Sequence, residues 1–418
     1  ADLTAKVTSQ SNPSIIEAKD YNLDLTGRTD TSDEFQKMVD SIPKGSTIKL
    51  SKGIYKFSNI VKLKDGLKLI ALNDVVIEGT GSNTLFSTGN NNSFQDIEFQ
   101  SCSIAISAIR QNEINITNCS FKNNIKYAAI DLYGSSDCSI TNSYFYNIRK
   151  YGIKIDDNSS DITIDSNYFD NPKVFGGYDI SQISGHIYCL SGTRINVTNN
   201  VLKNSGGQGI IFGYSSTSGE GTTSCLAQNN LCVGNGQEGI TIYGGSKKVS
   251  SGNSIIGNTS KNNRYNQIEV WQSDNNIVQN NTVEESISGR GNMGAICLFS
   301  TTGTTCTENN ILSAQNNGID ITAGSLNCIV SDNSIANTNL SNSTAAQNGN
   351  AILLDWNGVA DPQYITIKNN KISSSNGIIA KSGIYSTSNT NHHNKIYSNI
   401  ITGYKYGLHS YANMTRGI

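Results

Sequence analysis

The amino-acid sequence predicts an all-β solenoid, a fold in which each sequence repeat forms one coil that stacks on its neighbours. A four-residue phrase, a glycine or other small residue followed by aliphatic, variable and aliphatic residues, recurs eleven times between residues 129 and 412. Its starts lie 23 to 34 residues apart, which is typical of coils that carry insertions of different lengths. The composition agrees, because 4 prolines, 39 glycines and abundant Asn and Ser favour short strands joined by polar turns.

The two aliphatic positions of the phrase form the predicted core. Alternate residues of a strand face opposite sides, so both positions should point inward. The first is aliphatic in every copy, at Ile130, Ile153, Ile187, Ile210, Ile240, Ile268, Ile296, Ile319, Ile352, Ile384 and Leu408. The second runs from Leu132 to Leu354 with few exceptions and becomes Ser386 and Ser410 at the end. A wrong register would mix polar residues into these columns, so the variable positions should form the outward, functional surface.

A second phrase, x-Asn-Asn-x-aliphatic, lies between copies of the first. It occurs at Asn199-Asn200, Asn229-Asn230, Asn280-Asn281, Asn309-Asn310 and Asn369-Asn370, with variants at Ser166-Asn167, Asp332-Asn333 and Ser398-Asn399. Asparagine tolerates the left-handed backbone conformation, and its side-chain amide both donates and accepts hydrogen bonds. We therefore expect a structural asparagine ladder at one bend of each coil.

The N-terminal segment should close one end of the solenoid. We expect residues 1–60 to form a lead-in with a capping helix and residues 61–418 to form the solenoid. Thr31 and Glu34 have the spacing of a capping box, and Pro43 should end the helix. The apolar residues between them have helical spacing and form one stripe, at Phe35, Met38, Val39 and Ile42. Such a helix would cover apolar surface and strand edge that an open coil exposes.

Residues 27–55 also resemble the opening of a known superfamily. They contain a Gly-x-Thr-Asp-Thr stretch, a short helix, Pro-x-Gly and a strand closing in Gly-x-Tyr, supplied by Gly27, Thr29, Asp30, Thr31, Pro43, Gly45, Gly53 and Tyr55. This order resembles the pectate-lyase-like superfamily of right-handed parallel β-helices, which includes phage tailspikes. The resemblance implies a single-stranded right-handed parallel β-helix, here of about 11–13 coils with a short N-terminal capping helix.

The resemblance further implies a polysaccharide or oligosaccharide partner, an extracellular or virion-associated location and, as in tailspikes, a homotrimer. It fixes no activity, because hydrolases, lyases and adhesins of the superfamily share this opening and differ in their sites. The charge balance, 31 Lys and Arg against 33 Asp and Glu, gives no support for a nucleic-acid or membrane-surface partner. No apolar run is long enough for a membrane span, and we expect most of the nine cysteines to be buried thiols.

Three successive copies carry an aromatic residue at the second outward position: Tyr243, Trp271 and Phe299. Adjacent coils lie about 4.8 Å apart, so these rings should form a row that suits the apolar faces of sugar rings. Three further residues are candidates for substrate binding: Tyr188, Trp356 and Arg290. Arg290 lies between glycines in the insertion at 284–294. The alternative is an aromatic ladder that a loop covers and that contributes only packing.

Two acidic residues, Glu269 and Asp320, stand beside this row at the first outward position. Their backbones should be roughly 9.6 Å apart, twice the strand spacing. This overlaps the roughly 6.5–9.5 Å window of an inverting glycosidase, in which one carboxyl group protonates the leaving oxygen and the other activates water. Trp271 and Cys297 should desolvate Glu269 and raise its pKa towards that of a general acid. Asp355, one coil beyond Asp320 and one outward position along the strand, is an alternative partner, with its backbone about 8–9 Å from that of Asp320. All three residues could instead be solvated surface carboxylates.

A second cluster, Asp131, Lys154 and Asp156, offers a different chemistry. It resembles the sites of polysaccharide lyases of this fold class, in which a basic residue abstracts the proton next to a uronate carboxyl and acids hold calcium. Only one basic residue is present here, and Asp131 on the next coil is more simply its ion-pair partner. Calcium is expected only for such a lyase, and no cofactor or metal is expected otherwise.

The sequence therefore favours an extracellular, endo-acting glycoside hydrolase that uses Glu269 and Asp320 as acid and base, with Asp355 as an alternative partner one coil beyond Asp320. Two alternatives stay open. One is a calcium-dependent polysaccharide lyase or epimerase that acts on uronates. The other is a non-catalytic glycan-binding or phage spike module.

Overall fold

The fold is a parallel β-helix made of three long sheets, which we name A, B and C. A computed structural model describes residues 13–171, 184–288, 293–374, 380–387 and 393–410. Within these ranges the strands pair in parallel, and successive strands of one sheet belong to successive coils. The all-β expectation is confirmed.

The strands of each sheet follow one another along the chain. Sheet A has 16 strands, Ile15–Glu17, Thr47–Leu50, Lys68–Ala71, Ser93–Gln95, Asn115–Thr117, Ser139–Thr141, Ser159–Asp165, Gly192–Thr198, Thr222–Thr223, Leu226–Gln228, Ser254–Ile256, Ile277–Gln279, Thr305–Thr307, Ile329–Ser331, Thr366–Lys368 and Lys395–Tyr397. Sheet B has 15 strands, Thr26–Asp30, Gly53–Lys56, Val75–Glu78, Glu98–Gln100, Ser120–Lys122, Tyr144–Tyr146, Tyr168–Asp170, Val201–Lys203, Leu231–Val233, Thr259–Lys261, Thr282–Glu284, Asn310–Ser313, Ser334–Ala336, Lys371–Ser373 and Ile400–Thr402. Sheet C has 14 strands, Val61–Lys62, Thr84–Ser87, Ile104–Ile109, Ala128–Tyr133, Tyr151–Asp156, Gly185–Cys189, Gln208–Phe212, Ile240–Tyr243, Ile268–Trp271, Gly294–Phe299, Asn317–Thr322, Ile352–Asp355, Ser382–Ser386 and Tyr406–Ser410.

The repeated phrase forms sheet C, in the predicted register. The first aliphatic residue of each copy pairs with that of the next, from Ile130 with Ile153 to Ile384 with Leu408. All of these residues are fully buried except Leu408, which is 37% exposed in the last described coil. The stack is longer than the expected 11–13 coils because three strands of sheet C, all before residue 110, precede the first copy of the phrase.

The small first residue of the phrase points into the interior, at the corner where the chain enters sheet C. A Cβ atom on Gly152 would lie 2.5 Å from the carbonyl oxygen of His186 and 2.9 Å from a ring carbon of Phe169. A Cβ atom on Gly318 would lie 2.6 Å from a side-chain carbon of Ile335. Phe169 and Ile335 belong to sheet B, so side chains from that sheet occupy the space that glycine leaves.

The N-terminal helix, Ser32–Ser41, lies between strands of sheets B and A, where later coils have a strand of sheet C. It buries Phe35, Met38 and Val39 against the first coils, as predicted. The predicted capping box does not form, because the Thr31 side chain makes no capping hydrogen bond. Its Oγ1 instead accepts a hydrogen bond from the Asp24 backbone N–H. A 3₁₀ turn, Ala18–Asp20, precedes the helix.

Strands that precede residue 61 already pair with later coils. Thr47–Leu50, for example, pairs with both Ile15–Glu17 and Lys68–Ala71. The boundary between a lead-in and the solenoid at residue 60 therefore stays a prediction. The nine cysteines are all free and buried, as expected of small apolar side chains.

The two asparagines of the second phrase have different roles. In every pair except Asn309-Asn310 the second asparagine is buried and accepts, at its Oδ1, the backbone N–H of its counterpart one coil earlier, as Asn230 does from Asn200 at 2.9 Å. The same bond joins Asn230 to Asn258 and continues to Asn399. In Asn309-Asn310 the first asparagine has this role, and Glu308 before it has the positive φ. In the other pairs the first asparagine has positive φ, for example 55° at Asn229, and turns the chain between sheets A and B.

Candidate functional site

The predicted catalytic carboxyl groups and the predicted aromatic row lie on one surface, the outward surface of sheet C between Gln208 and Asp355, which we call the site face. Three columns of side chains run along it, and neighbours within a column belong to successive coils. The first column precedes the repeated phrase and holds Gln208, Glu238, Asn266, Gly294, Asn317 and Asn350. The second holds Ile211, Thr241, Glu269, Cys297, Asp320 and Leu353. The third holds Tyr243, Trp271, Phe299, Thr322 and Asp355.

Glu269 is a buried carboxyl group rather than a solvated one. The residue is 8% exposed, and its Oε1 accepts a hydrogen bond from Asn266 Nδ2 at 2.8 Å. Burial, followed by the nearby charge of Glu238, raises the pKa of Glu269 well above its usual range. The direction of this shift agrees with the sequence-based expectation, but the contribution of Glu238 was not foreseen.

Glu238 is the functional candidate that sequence reasoning missed. It is buried, its Oε2 accepts a hydrogen bond from Gln208 Nε2 at 3.1 Å, and burial raises its pKa. It stands directly before the repeated phrase, in a position that the alternation of strand residues does not describe. The available signal was that this position is polar in neighbouring copies, as in Gln208 and Asn266.

Asp320 lies in the same column as Glu269, two coils away, with Cys297 between them. It is 2% exposed, and its Oδ1 has no hydrogen-bond partner among the described residues. Burial raises the pKa of Asp320 well above its usual range. A hydrogen bond from Asn317 opposes this rise, and the charge of Asp355 adds to it. In both Glu269 and Asp320, burial thus favours the protonated form over the charged one.

Asp355 is the least buried of the three predicted carboxyl groups. It lies opposite Thr322 of the preceding coil, and its Oδ1 accepts a hydrogen bond from Thr387 Oγ1. Because it remains partly exposed, it is the one of the three that solvent water can reach most easily.

The aromatic residues do not form three parallel platforms. Trp271 and Phe299 stack on each other, with centroids 3.7 Å apart and planes 8° apart, so each ring covers one face of the other. Tyr243 instead meets Tyr214 edge to face at 5.5 Å. The expected row is therefore a stacked pair with a separate tyrosine at its N-terminal side.

The other predicted binding residues are dispersed. Tyr188 is buried three coils before Glu269, where it packs on Tyr151 at 4.9 Å in an apolar cluster that includes Ile211. Trp356 is 54% exposed in the turn that follows Asp355. Arg290 lies outside the described residues.

Buried polar atoms without a partner are concentrated on this surface. Among the described residues, nine buried side-chain N or O atoms lack a hydrogen-bond partner. Six of the nine belong to the site face: Gln208 Oε1, Thr241 Oγ1, Asn266 Oδ1, Asp320 Oδ1, Thr322 Oγ1 and Asn350 Oδ1. Leaving such an atom unpaired costs on the order of 1–3 kcal/mol, so a cluster of them marks a surface that hydrogen-bonding ligands would stabilise.

The second predicted cluster is a compact ion triad. Lys154 Nζ lies 3.4 Å from Asp131 Oδ1 and 3.7 Å from Asp156 Oδ2. Burial lowers the pKa of Lys154, but the charges of Asp131 and Asp156 raise it more, so the pKa of Lys154 is raised. A cationic lysine cannot abstract a proton. Within the described ranges, no group of three or more His, Cys, Asp or Glu side chains could hold a metal ion.

The comparisons with known proteins agree with this fold. The pattern of the family described as the right handed beta helix region matches residues 53–188 and 185–352, so the chain belongs to that family. The superfamily resemblance is thereby confirmed, and the β-helix is right-handed. No curated protein matches the chain. In the described part of the chain, no helix has the length and apolar character needed to cross a membrane.

Three solved structures illustrate the range of similar proteins. The Dettilon tailspike protein (gp208) has a TM-score of 0.64 and 18% identity, over 76% of this chain and 66% of that one. The A-module of Azotobacter vinelandii mannuronan C-5 epimerase AlgE4 has a TM-score of 0.56 and 14% identity, over 95% of this chain and all of that one. The catalytic unit of the GH87 alpha-1,3-glucanase of Streptomyces thermodiastaticus strain HF3-3 has a TM-score of 0.58 and 13% identity, over 96% of this chain and 70% of that one.

Proposed function

We propose that this chain is an extracellular or virion-associated protein that binds a polysaccharide along the site face and cleaves it internally by hydrolysis. The observation that carries the proposal is the concentration of unpartnered buried polar atoms beside high-pKa carboxyl groups on that single surface. A glycan supplies many hydroxyl groups that can pair with such atoms. The similar mannuronan epimerase and alpha-1,3-glucanase, whose names state a carbohydrate substrate, support a carbohydrate partner.

The carboxyl groups suit the two roles of an inverting glycosidase. Asp320 would protonate the leaving oxygen with Asp355 as its partner, or Glu269 would do so with Asp320 as its partner, because burial raises the pKa of both Glu269 and Asp320 well above the usual range. Asp355 would activate the attacking water in the first arrangement, because it is partly exposed and water can reach it. The strand spacings put Asp320 and Asp355 about 8–9 Å apart at their backbones.

A reducing-end assay on a panel of polysaccharides tests this assignment. We expect Glu269→Gln, Asp320→Asn and Asp355→Asn each to lower the rate by at least about 100-fold if the residue takes part in proton transfer. Glu98→Gln is the matched control, because Glu98 lies on sheet B and pairs with Lys122 away from the site face. Full activity in all three site variants would contradict the proposal.

Non-catalytic glycan binding is the second candidate, and the low exposure of Glu269 and Asp320 favours it. In that case the wild-type protein would bind a glycan through the same surface and release no product. The lyase alternative predicts an ultraviolet-absorbing unsaturated uronate product that requires calcium. The raised pKa of Lys154 argues against that residue as its base.

The oligomeric state is part of the same proposal. We propose a homotrimer, which the resemblance to the superfamily that includes tailspikes implies. Light scattering on the intact chain would measure the mass directly, and a monomer at all concentrations would exclude it.

A further inference from the structure

We infer that the coils from Gln208 to Glu269 form a subsite for an uncharged sugar residue, which they bind through its hydroxyl donors. The inference rests on the proposed glycan-binding function and specifies the class of sugar at one end of the site face. It uses residues of the first and second columns up to Glu269, the first of the predicted catalytic carboxyl groups.

The subsite is built from polar side chains that already hold one another in place. Gln208 Nε2 donates to Glu238 Oε2 at 3.1 Å, and Asn266 Nδ2 donates to Glu269 Oε1 at 2.8 Å. Both amide groups thus direct their N–H donors towards a carboxyl group. Their carbonyl oxygens, Gln208 Oε1 and Asn266 Oδ1, have no partner among the described residues.

Thr241 adds a third unpartnered oxygen between these two amides. It lies on the same coil as Glu238, one coil before Glu269, and the residue is 2% exposed. Coils are about 4.8 Å apart, so the three side chains present hydrogen-bonding oxygens at intervals comparable to the spacing of hydroxyl groups around one sugar ring.

Apolar side chains lie directly beside these oxygens. Ile211 precedes Thr241 in the second column, and Tyr243 lies two residues after Thr241 on the same strand. Tyr188 and Ile211 belong to one buried cluster, and Tyr243 packs against it. Apolar carbon and aromatic surface next to fixed hydrogen-bonding groups is the usual composition of a sugar-binding site.

The charges of the subsite select against anionic sugars. The free atoms of Gln208 and Asn266 are acceptors, and a carboxylate or sulfate group offers only acceptors to them. Glu238 and Glu269 lie in the same place, and neither forms an ion pair with a described Lys, Arg or His side chain. An anionic sugar would therefore meet unpaired acceptors and no balancing cation, whereas a neutral sugar would supply the missing donors.

Binding measurements on non-hydrolysing protein test the inference. Isothermal titration with the Asp355→Asn variant, whose substitution lies outside the subsite, would compare neutral, uronate-containing and amino-sugar oligosaccharides of matched length. We expect the neutral oligosaccharides to bind most tightly. Gln208→Met and Thr241→Val, made in the same background, should each weaken that binding about tenfold, because each removes one ligand acceptor with little change of shape.

The control is Gln228→Met, the same substitution on the outward surface of sheet A, which should leave affinity unchanged. Thermal unfolding of each variant would verify that the fold is retained. If Gln208→Met is unstable, the affinity of Thr241→Val alone tests the subsite. Tighter binding of uronate or amino-sugar oligosaccharides, or unchanged affinity in both variants, would overturn the inference alone. If the wild-type protein bound no oligosaccharide of the panel, the proposed function would fail with it.

Discussion

The carboxyl groups of the site face differ in burial, and that difference determines what each can do. Glu269 and Asp320 are nearly inaccessible, and burial raises the pKa of both. Asp355 stays partly exposed. The sequence places all three on the outward surface, but their burial depends on side chains that neighbouring coils contribute.

Replacing Glu238 should make Glu269 easier to ionise. The charge of Glu238 raises the pKa of Glu269, so Glu238→Gln is expected to lower it. The chain has two tryptophans, and Trp271 lies two residues from Glu269 on the same strand. In a Trp356→Phe background, the pH dependence of Trp271 fluorescence would follow the titration. The Glu98→Gln control should have the titration midpoint of the parent protein. If Glu238→Gln had that same midpoint, the coupling between Glu238 and Glu269 would be refuted.

Glu285 should make the fold less stable as the pH rises. It is fully buried, where Gln267 Nε2 and the Gln315 backbone N–H donate to its carboxyl group, and burial raises its pKa to about 7. The folded protein then holds a proton that the unfolded chain has released between about pH 4.5 and 7.

The stability that this proton provides is complete below about pH 4.5 and is lost as the pH rises through 7, a change on the order of 3 kcal/mol. Denaturant unfolding at pH 5 and pH 8 would measure it. Glu285→Gln should reduce the difference between the two pH values, and an equal difference in both proteins would contradict the prediction.

At the scale of the structural elements, the glycine of the repeated phrase is needed for stability only where side chains of sheet B pack against it in the interior. Gly152→Ala would force a Cβ atom against His186 and Phe169, so we expect destabilisation of about 1–3 kcal/mol. Gly407 occupies the same position in the last copy, and a Cβ atom there would meet nothing within 4 Å. Gly407→Ala should therefore change the unfolding free energy by less than about 0.5 kcal/mol, and equal effects at both sites would disprove this reason for the glycine.

The buried asparagines should contribute more than their exposed neighbours. Asn230 bonds to Asn258, to the Val197 carbonyl oxygen and to the Asn200 backbone, so Asn230→Ala should cost about 2–4 kcal/mol of unfolding free energy. Asn229 serves as the control, because its positive φ suits glycine and Asn229→Gly should be nearly neutral. Chemical denaturation of the two variants would compare them, and a neutral Asn230→Ala would contradict this role.

Periodicity was sufficient to predict the elements but not the contacts between their side chains. The unbroken aliphatic column from Ile130 to Ile384 gave the register of sheet C, because one misplaced residue would have inverted every side chain. The proximity of Glu238 to Glu269 could not be predicted, because Glu238 lies at a corner where the strand alternation fails. The mutual stacking of Trp271 and Phe299 depends on rotamers, which column positions do not determine.

For the whole molecule, the asymmetry between its surfaces is the main functional indication. Sheets A, B and C all run the described length, yet six of the nine unpartnered buried polar atoms belong to the site face of sheet C. A right-handed β-helix tolerates variation on every outward surface, so this concentration is not required by the fold. It distinguishes one side of the molecule as the place where a hydroxyl-rich chain would bind.

A crystal structure of the Glu269→Gln protein with an oligosaccharide that the wild-type protein cleaves or binds would test this conclusion most directly. We predict that the sugar chain runs along the solenoid axis on sheet C, with hydroxyl groups on Gln208 and Thr241 and the scissile bond beside Asp320 and Asp355. An oligosaccharide bound instead to the outward surface of sheet A or sheet B would contradict the proposed site.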